Sequence, residues 1–126
     1  LTEAIKIGHT ILLNGGSSQE AVERTIHVME DSSLFNAGKG AVLTSNETIE
    51  LDASFMNGSN LDAGAISGVS TIKNPISAAI KVMENSPHVM LSGKGAENFA
   101  ATQNLEFVEP EYFFTDHRVK ALKRVK

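Results

Sequence analysis

AVLTSNETIELDASFMNGSNLDAGAISGV, residues 41–69, is the stretch in which apolar positions recur at every second residue. Ile49, Leu51, Ala53 and Phe55 alternate with Glu50, Asp52 and Ser54. That is the period of a strand with one face in a core and the other facing water. Val42 and Leu43 precede a Ser45–Asn46 turn, which predicts a first strand over Ala41–Thr44. Asn57–Gly58 is a strong hairpin signal. After it Leu61, Ala63, Ala65 and Ser67 or Val69 take up the alternation again. The expectation is an antiparallel meander of about three strands.

Upstream the period changes to that of a helix. Ala4, Ile7, Ile11 and Leu12 recur at helical spacing and Gly15–Gly16 supplies a left-handed stop. Ser17 followed by Glu20 is a capping-box pattern, and Val22, Ile26 and Met29 stripe a second helix over 18–30. Residues 31–40, DSSLFNAGKG, are dense in Gly, Asn and Ser and read as a loop. Downstream, Asn74–Pro75 marks the start of a helix running to about Asn85, which Pro87 stops. His88–Ser92 reads as a short strand, Gly93–Gly95 as a turn and Ala96–Asn104 as a helix. With helices before and after the strands, the fold class expected is α+β, a layered fold with an antiparallel sheet. Few strands with open edges make a poor free-standing sheet, so something else should complete it.

Composition narrows the function. The chain has 126 residues, no cysteine, and an apolar share of 41%, ordinary for a packed domain. Disulfide scaffolds, thiolate metal sites and a cysteine nucleophile are therefore excluded. No apolar run is long enough to span a bilayer. The expected compartment is the cytoplasm, with periplasmic or secreted placement left open. Residues 1–116 hold 6 Lys/Arg against 15 Asp/Glu, whereas the last ten residues add 5 cations and no acid. A cationic run without interleaved aromatics is the mark of a solvated helix end or linker over about 116–126, not of a nucleic-acid site.

Familiar catalytic motifs fail one by one. Gly38-Lys39-Gly40 and Gly93-Lys94-Gly95 lack the spacing of a phosphate loop, and no G-x-G-x-x-G or G-x-S-x-G occurs. His9, His27, His88 and His117 are scattered, with no i,i+4 pair for zinc. Asp52 and Glu50 share a strand, where outward polar alternation explains them as well as acid–base work does.

EDSSLFNAGKGAVLTSNETIELDASFMNG, residues 30–58, resembles the corresponding stretch of the plant-type L-asparaginases, also called isoaspartyl peptidases. The likeness continues through LDAGAISGVSTIKNPISAAIKVMENSPHVMLSGKGAENFA, residues 61–100. Glycosylasparaginases and threonine aspartases share the DA-x-x-M-x-G hairpin but not this F-N-A-G-x-G loop. A glycosylasparaginase-like amidase is thus the alternative enzyme, and a non-catalytic α+β interaction module the alternative outside enzymes.

The resemblance implies that the chain is an α subunit, half of a four-layer αββα sandwich of the amino-terminal-nucleophile hydrolase type. It implies a precursor that cuts itself before a threonine, which then opens a β subunit and attacks the substrate with its own amine as base. Expected substrates are L-asparagine and β-aspartyl dipeptides, and the expected assembly is (αβ)2, with no nucleic-acid or membrane partner. No catalytic nucleophile is expected in this chain. Asn36 is placed by the resemblance beside that threonine. The family's loop wraps a structural sodium ion through main-chain carbonyls, which carry over to Met29, Glu30, Ser32, Phe35, Ala37 and Lys39. Two family segments have no match within residues 1–126: an opening strand with a His-Gly-Gly loop, and the Thr-led strand itself.

Overall fold

A computed structural model describes residues 1–126. The chain runs α1 (Thr2–Leu13), α2 (Ser18–Glu30), β1 (Leu51–Met56), β2 (Ala63–Val69), α3 (Pro75–Asn85), β3 (Met90–Ser92), α4 (Gly93–Ala101), a 3-10 turn (Pro110–Phe113) and α5 (Asp116–Val125). This is a mixed α/β arrangement of five helices and one three-stranded sheet in the order β1-β2-β3. No helix is long and apolar enough to cross a membrane.

The first two helices end and begin as their sequence dictates. Gly15 donates to the Leu12 carbonyl at 3.1 Å and Gly16 to that of Ile11 at 2.8 Å, the paired bonds of a Schellman stop, with Gly15 at φ +82. Ser17 then caps α2, its hydroxyl accepting from the Glu20 amide at 3.1 Å. The hairpin closes tightly because Gly8 of α1 lies against Thr25 and Ala21 of α2, where a side chain would collide.

The sheet corrects the expected meander in three ways. Residues 41–44 carry no ladder and form no strand; Thr44 instead accepts from and donates to the neighbouring turn, through Glu47 and Thr48. Asn57–Gly58 does not form a two-residue hairpin turn. Met56 pairs with Ala63, leaving a six-residue connection closed by Asn57 donating to the Asp62 carbonyl at 2.8 Å. The third strand, β3, runs parallel to β2, because α3 carries the chain back across the sheet before it enters. The sheet is therefore mixed. The helix expected over Ala96–Asn104 also begins and ends earlier, over Gly93–Ala101, so Gly93–Gly95 form its first turn.

One sheet face is packed. Gly64 and Ile66 of β2 point at α3 and α4, joined by Leu51 and Ala53 of β1 across the ladder. Ile49, Val69, Ile72, Ala78, Val82, Ala96, Ala100 and Phe113 complete the core. The expected inward set was Leu61, Ala63, Ala65 and Ser67 or Val69; Val69 is buried, but Leu61 is exposed and Ala63 and Ala65 point the other way. Both strand faces are apolar or small there, so composition does not name the buried one, and the bulge between Leu51 and Ala53 resets the phase. Its geometry is held by Asp52, whose carboxylate accepts from the Gly68 amide at 2.9 Å. The opposite face presents Ser54, Ala65 and Met90 in one row and Met56 and Ala63 in the next. Met56 and Met90 remain 61% and 55% exposed, so this face has no cover within residues 1–126.

Candidate functional site

The loop that follows α2 is folded by glycine. Lys39 donates its amide to the Glu30 carbonyl at 2.7 Å, closing residues 30–39 into a ring. Gly38 (φ +48) passes directly against the Glu30 backbone. Gly40 has φ +122, and a Cβ there would meet the Phe35 carbonyl oxygen at 2.7 Å and that of Ser33 at 2.8 Å. Only a residue without a side chain satisfies both demands. Met29 and Glu30 are the last residues of α2, and Ser32, Phe35, Ala37 and Lys39 lie on the compact loop that follows.

Their carbonyls are partly engaged. Met29 accepts from the Ser32 amide at 3.3 Å and Glu30 from Lys39, each keeping a second lone pair. The Phe35 and Ser33 oxygens converge beside Gly40. Ser33 is absent from the set implied by the resemblance. The two carboxylates at the start of the segment are turned to Asn74, whose Nδ2 donates to Glu30 Oε2 and to Asp31 Oδ1, each at 3.0 Å.

Asn36 is exposed at the loop's rim. Its Oδ1 accepts from the Val42 amide at 2.9 Å, so it does hold the turn, while its Nδ2 makes no bond within the chain. One end of the amide is therefore structural and the other is available.

Two features of the site were invisible in the sequence. The first is Arg118, in the segment read as a solvated tail. Residues 116–125 form α5, capped by Thr115, and Arg118 Nε donates to the Gly40 carbonyl at 2.7 Å. Gly40 in turn donates to the Phe113 carbonyl at 3.2 Å. Both polar groups of one glycine are thus gripped by the end of the chain. Ala121, Leu122 and Val125 face Val42 and Leu43 across an apolar crevice, and Lys126 reaches Glu47 at 2.9 Å. The bond spans 78 residues, and no local pattern announces it.

The second is the Glu30 side chain. Buried at 4% exposure, it accepts from the Ile76 amide and from Asn74 Nδ2, each at 3.0 Å. It caps α3 from the neighbouring helix, doing the work expected of Asn74. Burial pushes its carboxyl up to about 7, against the pull of those two donors. A carboxyl raised in the folded state binds its proton more tightly there than in the unfolded chain. Its stabilising share is then complete below about 4.5 and is lost as pH rises through about 7. Thermal midpoints measured across that range should fall in the wild-type protein more steeply than in Glu30→Gln. Parallel curves would show that Glu30 stays ionised throughout.

A Ser–His–Glu group elsewhere has the wrong polarity for hydrolysis. Ser77 Oγ donates to Glu23 Oε1 at 2.6 Å, so its hydrogen is unavailable to His27, whose Nε2 lies 2.7 Å away and must itself donate. The trio ties α2 to α3, and burial holds the His27 ring below its usual pKa.

A family model described as Asparaginase matches residues 1–126. The isoaspartyl peptidase of Escherichia coli (strain K12) is 48% identical over 122 residues, 97% of this chain and 38% of that protein. The isoaspartyl peptidase/L-asparaginase of Mus musculus is 44% identical over 126 residues, all of this chain and 39% of that protein. The Homo sapiens protein of the same name is 42% identical over 126 residues, covering 41% of its length. The chain thus spans well under half of the curated relatives it matches.

Proposed function

Because the chain belongs to the asparaginase family, we propose that it is the amino-terminal part of an isoaspartyl peptidase/L-asparaginase, an α subunit whose nucleophile lies in a β subunit of the same precursor. The observation that carries this reading is the loop: glycine-folded, clamped at Gly40 and presenting a free Asn36 amide at its rim. The partner's sheet covers the face bearing Met56 and Met90, completing a four-layer αββα sandwich, and two such units form (αβ)2. Small residues on that face, Ser54, Ala63 and Ala65, suit close sheet-on-sheet packing.

In the proposed reaction the amino-terminal threonine hydroxyl attacks the side-chain carbonyl of L-asparagine or the β-aspartyl bond of a dipeptide. Its own α-amine takes the proton, ammonia or an amino acid leaves, and water releases aspartate. Asn36 Nδ2 donates to the threonine backbone and keeps amine and hydroxyl in line. A sodium ion held by the carbonyls of Met29, Glu30, Ser32, Phe35, Ala37 and Lys39 supplies no chemistry; it stiffens the loop. Met29 and Glu30 offer their remaining lone pairs, and the Phe35 oxygen lies close to Gly40.

The test is to purify the full-length protein, sequence the amino terminus of any smaller fragment that accompanies this one, and assay a β-aspartyl dipeptide and L-asparagine. A threonine-led fragment, with both activities lost on replacing that threonine by alanine, is the expected result. An uncut, inactive protein would move the chain to the non-catalytic interaction module.

A further inference from the structure

The chain contains two Asn–Gly pairs, Asn14–Gly15 and Asn57–Gly58, and the fold treats them in opposite ways. We propose that Asn57 is a site of spontaneous self-modification, converting through a succinimide to isoaspartate, while Asn14 is protected. The inference is independent of the proposed activity.

The chemistry needs the amide nitrogen after the asparagine to attack the side-chain carbonyl carbon. At the first pair that nitrogen is occupied: Gly15 donates to the Leu12 carbonyl at 3.1 Å as part of the helix stop. At the second, the Gly58 amide makes no hydrogen bond within the chain, and nothing lies within 4 Å of where its Cβ would be. Asn57 is also pre-folded for the reaction. Its Oδ1 accepts from the Ser59 amide at 3.0 Å and from Ser59 Oγ at 2.8 Å, an Asx turn that folds the side chain back over the Gly58 peptide unit. The same two donors stabilise the negative charge that grows on Oδ1 as the carbonyl is attacked, in the manner of an oxyanion hole.

The steps balance without any co-reactant but water. The Gly58 nitrogen gives its proton to a solvent base and forms a bond to Asn57 Cγ. The Cγ–Nδ2 bond breaks and Nδ2, after taking a proton, leaves as ammonia. Water then opens the ring at either carbonyl, giving aspartate or isoaspartate. The product gains a carboxylate and, in the isoaspartyl form, an extra backbone methylene between β1 and β2. It carries the same β-aspartyl linkage that the proposed enzyme hydrolyses in dipeptides.

The experiment incubates the full-length folded protein in mildly alkaline buffer and follows the tryptic peptides holding Asn57 (40–73) and Asn14 (7–24) by mass spectrometry. Isoaspartate is located by electron-transfer fragmentation. The expected result is amide-to-acid conversion at Asn57, mostly as isoaspartate, severalfold faster than at Asn14. Gly58→Ala should slow it severalfold without altering the thermal midpoint, since the added methyl meets open space. Conversion at Asn14 as fast as at Asn57, conversion first at Asn60, or an Asn57 that persists while an unfolded peptide of the same sequence converts would each overturn the proposal.

Discussion

Replacing Asn36 by alanine is expected to lower turnover of a β-aspartyl dipeptide by about one to three orders of magnitude in the assembled enzyme, its upper end matching the roughly 10²–10³ lost with one oxyanion donor. The substitution removes two things at once. Oδ1 accepts from the Val42 amide at 2.9 Å and supports the loop, whereas Nδ2 has no partner in the chain. Asn36→Asp separates them, because it keeps the acceptor and deletes the donor. If the proposed role is correct, the aspartate variant matches wild type in thermal stability and falls in kcat nearly as far as the alanine variant, with KM little changed. An aspartate variant with wild-type kcat would make Asn36 a loop residue and nothing more.

The largest structural effect is expected at Gly64. It faces α3 so closely that a Cβ would strike the Ala79 carbonyl oxygen, lie 2.5 Å from the Met83 amide nitrogen and 2.9 Å from Met83 Cβ. Two of those three atoms are backbone, so rotating a side chain gives no relief. Gly64→Ala must push α3 off the sheet, at a cost of about 3 kcal/mol or more on the scale of overpacked cores. The displacement reaches the loop, since the amino terminus of α3 is the end capped by Glu30. Denaturant midpoints of the full-length protein should drop sharply, with activity falling in parallel. A variant within experimental error of wild type would mean that α3 has room to slide.

How far the residues announced these features depended on whether the determining contact was local. α1 and α2 were legible to within a residue because their ends rest on Gly15, Ser17 and Glu20, all neighbours in sequence. The start of α3 was equally plain from Asn74–Pro75, yet its cap was misassigned. The carboxylate that serves the Ile76 amide belongs to Glu30, 46 residues earlier. Asn57–Gly58 carried a genuine turn signal, but Ser59 captured the Asn57 side chain and Asp62 its amide, stretching two residues to six. Residues 41–44 have strand composition and no ladder partner within the chain. Residues 31–40 were legible as a loop from their Gly, Asn and Ser content, whereas the role proposed for Asn36 rests on the family resemblance alone. Arg118 escaped both routes.

The grip of Arg118 and Phe113 on Gly40 also has a consequence in time. A ribosome adds about 5–20 residues per second. The 78 residues between Gly40 and Arg118 therefore take roughly 4–16 s to appear. Through nearly all of that interval the α1–α2 hairpin can form from its own sequence, while the loop carrying Asn36 lacks Phe113 and Arg118, the partners of its last glycine. The loop is thus among the last parts of these 126 residues to settle during synthesis, and it does so only once nearly all of them have emerged.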